Sequence, residues 1–301
     1  MDVLIIGATG YVGSALSEML VDAGYETAGL ARSEDSAKKL GSMGLGVVTG
    51  DLSAPESFIP AVGEAEAVVY AAAPEGPDAA ELDRGAVKAI IEELQGTGRT
   101  FVYTSGGWVV GSTNGMVADE KSPVHPPPGM EWRPAVEKLV LSAAKESGVR
   151  TFVVRPALVF GAGGGVVGEL VDWAANYGVA RYVDPPEEEC FWTLIHREDL
   201  GRFYQRLIEG TSIPGGELLL AVGDGPFQTR EIAAAAGRTA GVGGAAEAWP
   251  LEKAREELGT YADSLALSQK LSGSRAEALL GWKPTAPSVF EELEHGSYVK
   301  D

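Results

Sequence analysis

Through the first 160 residues, short apolar runs alternate with longer amphipathic stretches. The runs predict strands at Val3–Ile6, Glu26–Leu30, Gly46–Thr49, Ala67–Tyr70, Thr100–Tyr103 and Thr151–Arg155. They are apolar on both faces and separated by helix-length segments, as in a buried parallel sheet. Helices are predicted at Val12–Ala23, Glu34–Met43, Asp78–Gln95 and Arg133–Glu146. Right-handed crossovers then give an α/β, doubly wound fold with its ligand at the carboxyl ends of the strands. After Gly161 the pattern changes to a glycine-rich loop, a helix near Val166–Tyr177 and an acidic surface excursion over 184–189. A strand at Phe191–Ile195 and a helix at Arg197–Glu209 follow. From Thr229 the chain reads as short helices sharing a small core of Leu265, Leu267, Leu271, Leu279, Leu280 and Trp282. The expected organisation is a dinucleotide-binding domain over 1–165, to which 190–210 returns. A smaller, mostly helical substrate lobe is expected over 166–189 and 211–301.

The first strand–helix turn reads Gly7-Ala8-Thr9-Gly10-Tyr11-Val12-Gly13. In a Rossmann-type unit the first glycine makes the tight turn, the second lets backbone approach a pyrophosphate, and the third lets helix and strand pack closely. The helix N-terminus adds N–H groups and a positive dipole end for the phosphates. An ordinary strand–helix turn is the alternative, and a P-loop is excluded because no Gly-Lys-Ser/Thr follows. The second strand ends in Arg32-Ser33, about 20 residues past the glycines, where an NAD site carries Asp or Glu. A guanidinium and a hydroxyl there suit a 2′-phosphate, so NADP(H) is expected over NAD(H).

Charge narrows the function classes. Lys and Arg number 24 against 43 Asp and Glu, a net charge of −19 that repels phosphate backbones and anionic lipid. Nucleic-acid and membrane-surface roles are therefore set aside, and a small-molecule substrate is expected. No apolar run reaches the roughly 18 residues of a membrane span, and no basic leader precedes the first strand, so a cytoplasmic location is expected. The one cysteine, Cys190, excludes an internal disulfide framework. His125, His196 and His295 have no ligand spacing with it, so no metal site is expected.

Beyond the glycine turn, several motifs stand in a familiar order: Gly50-Asp51-Leu52, Ala71-Ala72-Ala73, Tyr103-Thr104-Ser105, Arg155-Pro156-Ala157-Leu158-Val159-Phe160-Gly161, His196-Arg197-Glu198-Asp199-Leu200 and Leu280-Gly281-Trp282-Lys283-Pro284. Over essentially its whole length the chain resembles the extended short-chain dehydrogenase/reductase superfamily, of the NAD(P)-dependent epimerase/dehydratase kind. The resemblance implies that Asp51 and Leu52 flank the adenine, and that Ala71, Ala72 and Ala73 line ribose and phosphates. It also implies that Pro156, Ala157, Leu158 and Val159 lie near the nicotinamide. The family's catalytic Tyr, four residues before a Lys, is missing: Lys138 has Pro134 in that place. Proline suits a helix's first turn, so Trp132–Lys138 reads as a helix start carrying Lys138 inward, as in atypical members that have lost the Tyr.

Lys138, Ser105 and Thr104 are the remaining catalytic candidates, with Lys138 also holding the cofactor ribose. Tyr177 or Tyr182 can stand in for the phenol, and Trp108 and Trp132 can wall a pocket. A structural role is expected for His196. Hydride transfer needs only an electrophilic carbon against the nicotinamide. An iminium or polarised C=C, which develops no alkoxide, is the favoured substrate. The function expected is an atypical NADP(H)-dependent oxidoreductase. The alternatives are an epimerase, isomerase or lyase using the cofactor transiently, and a non-catalytic NADP(H) sensor. A homodimer through helices 78–95 and 133–146 is implied by analogy only.

Overall fold

The computed structural model describes residues 1–185 and 189–299, and it divides into two compact units. The first comprises Met1–Ser105, Trp132–Arg155 and Leu200–Leu219; the second comprises Gly106–Glu131, Pro156–Asp199 and the chain from Leu220 onward. Of the acidic excursion over 184–189, residues 186–188 lie outside the described residues.

In chain order the first unit opens with β1 (Val3–Ile6), α1 (Tyr11–Asp22), β2 (Thr27–Ala31), α2 (Glu34–Ser42) and β3 (Gly46–Thr49). It continues with α3 (Ile59–Glu64), β4 (Ala67–Tyr70), α4 (Ala79–Glu93), β5 (Thr100–Thr104) and α5 (Arg133–Glu146). The strand Arg150–Pro156 follows, and Glu217–Ala221 completes a seven-stranded sheet. The order is Glu217–Ala221, Arg150–Pro156, β5, β4, β1, β2, β3. Pairing is parallel from Arg150–Pro156 through to β3. The chain steps outward from β1 to β3, then returns to β4 on the other side of β1. The carboxyl ends of β1 and β4 therefore flank the topological switch point, where a doubly wound sheet opens its crevice.

Local chemistry explains these elements. Every residue of β1 and β4 is buried, which their unbroken apolar and aromatic content requires of central strands. β3 sits at the edge and leaves Val47 exposed. Ser33 caps α2 reciprocally: its Oγ accepts from Ser36 N–H at 3.2 Å, and Ser36 Oγ accepts from Ser33 N–H at 3.1 Å. α5 has proline in its first turn, where the missing N–H has no helical acceptor to lose. One core of Leu4, Ile6, Phe58, Val68, Tyr70, Ile90, Phe101, Tyr103, Val140 and Val153, among others, joins α3, α4 and α5 to one sheet face. The outward side of α4 carries Glu81, Arg84, Lys88 and Glu92, all exposed.

The second unit pairs Phe191–His196 parallel with Leu158–Phe160 and antiparallel with Asp224–Gln228. Two-stranded ribbons join Ala180–Asp184 to Ala246–Pro250 and Val117–Ala118 to Lys270–Leu271. Around them lie Gly165–Tyr177, Thr229–Thr239 and shorter helices ending in Val289–His295. Several strands of the two units escape the hydrophobic pattern. Asp224-Gly225-Pro226 carries turn residues, and Glu217–Ala221 is an apolar run too short for periodicity to separate strand from helix.

Candidate functional site

The glycine turn between β1 and α1 has little room for side chains. Gly7 has φ +91°, and a Cβ there would lie 2.6 Å from the Ala72 nitrogen and 2.7 Å from the Ala71 carbonyl. The turn thus abuts the backbone leaving β4, where Ala71 N–H donates to Ile6 O at 2.8 Å. A Cβ on Gly13 would run into the Gly7 carbonyl oxygen, so the close helix–strand approach requires glycine there. Gly10 differs: a Cβ would meet only Gly7 O, at 3.2 Å, and the residue is exposed. It is the N-cap of α1, offers no side-chain bond, and no acidic residue stands in the helix's first turn. A helix start so arranged keeps its dipole and first-turn N–H groups directed at whatever enters. Thr9, Tyr11 and Val12 are half-buried around it. This cradle fits a dinucleotide pyrophosphate.

At the end of β2, Arg32 is exposed at the turn into α2. The Ser33 hydroxyl is committed to the α2 cap, so Arg32 carries more of the anion-binding expectation than its neighbour. Asp51 turns back on itself. Its Oδ1 accepts from Ser53 Oγ at 2.7 Å and Ser53 N–H at 2.8 Å. Those bonds, with a smaller contribution from the Arg32 charge, hold its pKa below the usual carboxylate value. Leu52 packs its partly buried side chain on the core. The sequence reading missed Lys39: its Nζ donates to the Thr9 carbonyl at 2.7 Å, tying α2 to the glycine turn. The available signal is the i, i+3 recurrence of Ser33, Ser36 and Lys39 along one side of the helix.

Strand alternation separates the two hydroxyls after Tyr103. Ser105 Oγ donates to Glu137 Oε1 at 2.5 Å. Thr104 points to the opposite face, buried, with its Oγ1 2.7 Å from the Tyr204 hydroxyl. It is thereby withdrawn from the crevice expected for a catalytic hydroxyl. Lys138 differs from expectation too. It is exposed, and the inward side chain at this point of α5 is Glu137. Arg155 donates from Nε at 2.9 Å and Nη2 at 2.5 Å to the two Glu137 oxygens, and both side chains are about 95% buried or more. Arg155 Nη1 has no hydrogen-bond partner among the described residues. Behind the crevice Tyr103 donates to buried Asp83 at 2.7 Å, and Tyr70 stacks on Tyr103 at 5.7 Å between ring centroids. Burial pushes the Asp83 carboxyl and both phenols up, against a smaller opposing effect from the Arg133 charge.

A model of the NAD dependent epimerase/dehydratase family matches residues 3–201. The chain belongs to that family. Its fold is the NAD(P)-binding, Rossmann-like fold of the extended short-chain dehydrogenase/reductase proteins. An uncharacterised protein of Schizosaccharomyces pombe is 30% identical over 99% of this epimerase/dehydratase-family chain and 100% of its own length. A 2-alkyl-3-oxoalkanoate reductase of Stenotrophomonas maltophilia is 28% identical over 77% of this chain and 73% of its own. The solved structure of human epimerase family protein SDR39U1 with NADPH superposes with a TM-score of 0.78, at 20% identity over 99% of both chains. Nicotinamide-cofactor binding is supported by this family membership and fold.

The remaining expected residues of this family member lie in the second unit. Pro156 and Ala157 are buried, with Ala157 N–H donating to Ala221 O at 2.9 Å, while Leu158 and Val159 are half-buried in the strand beside Phe191–His196. His196 is buried; its Nδ1 accepts from Glu198 N–H at 3.3 Å and its Nε2 lies 3.6 Å from Glu292. Tyr177 is exposed and donates to Glu257 at 2.9 Å. Trp108 is half-buried, edge-on to Tyr261, whose hydroxyl donates to Glu169 at 2.9 Å. Among the described residues no cluster of His, Cys, Asp and Glu could hold a metal ion, and no helix is long and apolar enough to cross a membrane.

Proposed function

We propose that this chain is an NADP(H)-dependent oxidoreductase that moves a hydride between the nicotinamide and a small organic substrate. The observation that carries the reading is the glycine cradle with two cations beside it: Arg32 at the end of β2, and Lys39 bonded to Thr9 within the turn itself. A 2′-phosphate at the end of the second strand calls for positive charge where an NAD site has a carboxylate. The NADPH named with the human structure and the reductase activity named for the bacterial relative point the same way.

NADP(H), when bound, supplies or accepts the hydride; the protein's part is to bind, orient and manage charge. The α1 N-terminus and the Gly10 backbone hold the pyrophosphate. Arg32 and Lys39 would hold the 2′-phosphate, and Leu52 would flank the adenine. Ala71, Ala72 and Ala73 keep the wall beyond β4 free of bulk. The Ser105 proton is already given to Glu137, so toward a ligand this hydroxyl accepts rather than donates. The tyrosines ending β4 and next to the end of β5 are turned to Asp83, away from proton delivery. A substrate that needs no proton at a developing alkoxide therefore suits the site best, which favours an iminium, completed to the amine by hydride alone, or a polarised C=C whose carbanion takes its proton from solvent.

Titrating the purified protein with NADPH and with NADH, following energy transfer from its six tryptophans, tests the cofactor half. Tight NADPH and weak NADH binding supports the reading, and failure of both to bind overturns it. Single-turnover assays with cyclic imines, activated alkenes and ketones then test the substrate half. Turnover of ketones alone overturns the preference.

A further inference from the structure

We infer that Arg133, and not Lys138, is the cation this chain presents to the nicotinamide half of the cofactor. The inference rests on the proposed NADP(H) binding and concerns which residue serves it.

The rotation of α5 carries the argument. Its buried residues are Val136, Glu137, Val140 and Ala143. Positions three and four apart share a helix face, so Arg133 stands one turn before Val136 and Glu137 on the inward side. Lys138 is turned about 100° from Glu137 and is exposed. The rotation is locked: Glu137 is held by two hydrogen bonds from Arg155 and one from Ser105, so α5 cannot turn Lys138 inward without stranding a buried guanidinium.

Arg133 is also placed and unengaged in the way such a role requires. It is half-buried at the first residue of α5, its guanidinium carbon 4.9 Å from the centre of the Trp132 ring. Trp132 itself packs on the core. The Arg133 charge acts on Tyr70, the last residue of β4, and on Tyr103, one residue before the end of β5. As the first residue of the helix that carries the chain from β5 back to the parallel strand Arg150–Pro156, it stands at the carboxyl edge of the sheet, beside the strands whose continuations are Ala71–Ala73 and Ser105. Its charge also acts on the buried Asp83 carboxyl, yet no ion pair within 4.0 Å and no hydrogen bond engages Arg133 among the described residues. A guanidinium stacked on an indole, partly desolvated and with its donors uncommitted, can donate to the ribose hydroxyls of the nicotinamide half.

The test is calorimetric titration of the full chain with NADPH and with adenosine 2′,5′-bisphosphate, which has the 2′-phosphate but no nicotinamide half. The variants are Arg133→Met, Arg133→Gln, Arg133→Lys and Lys138→Met. Loss of a charge-assisted contact predicts about 10- to 100-fold weaker NADPH binding by R133M and R133Q. Binding of the bisphosphate stays within about twofold, and R133K recovers part of the NADPH loss. The inference is overturned if wild-type protein binds NADPH and both neutral variants bind it as tightly. It is equally overturned if they lose both ligands in parallel, or if K138M alone shows the NADPH-selective loss. Wild-type protein that binds neither ligand overturns the functional reading itself.

Discussion

Arg155 and Glu137 form a bidentate, nearly fully buried ion pair, and the same carboxylate receives the Ser105 hydroxyl. Two charges out of water are tolerable only because each satisfies the other, so removing one leaves a stranded charge. Glu137→Ala should lower unfolding stability by about 3–5 kcal/mol. The double replacement E137L/R155M should recover much of that loss, since apolar side chains of similar size need no partner. Urea unfolding of the three proteins checks both; an E137A loss below about 1 kcal/mol would place the pair at solvent-exposed strength.

Gly10 and Gly13 of the first turn should respond differently to alanine. At Gly13 a Cβ collides with the Gly7 carbonyl, so α1 must lift from β1, at a cost of about 1–3 kcal/mol. At Gly10 the added methyl meets only one atom, at 3.2 Å, and stability should change little. The same methyl occupies the side from which a pyrophosphate approaches, so Gly10→Ala should lose NADPH affinity while melting near wild type. Thermal melts paired with titrations separate the two. Equal melting losses in G10A and G13A would contradict the geometry.

Much of the sheet was legible because its determinants are local. Gly7 and Gly13 announce a backbone that admits no side chain, and the unbroken apolar runs of β1 and β4 announce central strands. The rotation of α5 was not legible. Trp132, Val136, Leu139, Val140 and Ala143 define an apolar stripe, and Glu137 flanks it beside Val140. A glutamate there reads as surface until Arg155, 18 residues further on, is seen to reach it. With Glu137 assigned outward, Lys138 is free to be imagined inward. Thr104 and Ser105 were likewise inseparable until the pairing of β5 showed which hydroxyl faces α5.

Asp83 should make stability depend on pH in a direction opposite to acid denaturation. Burial raises its folded pKa above the ordinary 3.8. The folded protein then holds this proton over a range in which the unfolded chain has released it. Its contribution is fully favourable below 3.8 and is lost as pH rises through the folded pKa. Asp83→Asn, which can still accept from Tyr103 but does not ionise, should lack that falling component. Unfolding free energies for both proteins, measured stepwise from pH 4 to 8, check it; parallel curves would show that Asp83 is ionised alike in both states.

Cofactor choice should follow Arg32 and Lys39 by separable routes. Arg32 is exposed and contributes through charge, with Asp51 as a nearby competitor that it also stabilises as the anion. Arg32→Ala should therefore weaken NADPH binding by about 10- to 100-fold, the strength of a charge-assisted phosphate contact, and leave NADH nearly unchanged. Arg32→Glu should go further, because a carboxylate repels the 2′-phosphate and accepts from a ribose 2′-hydroxyl, moving preference toward NADH. Lys39 differs because its ammonium already holds the Thr9 carbonyl. Lys39→Met removes both a cation and a tie on the turn that receives the pyrophosphate, so it should weaken NADPH most but NADH as well. Raising salt should narrow the NADPH difference between wild type and R32A, since screening acts on exposed charge. Titrations of the four proteins with both dinucleotides decide the matter. If R32A and K39M each leave the NADPH to NADH ratio unchanged, the cations beside the glycine turn do not read the 2′-phosphate.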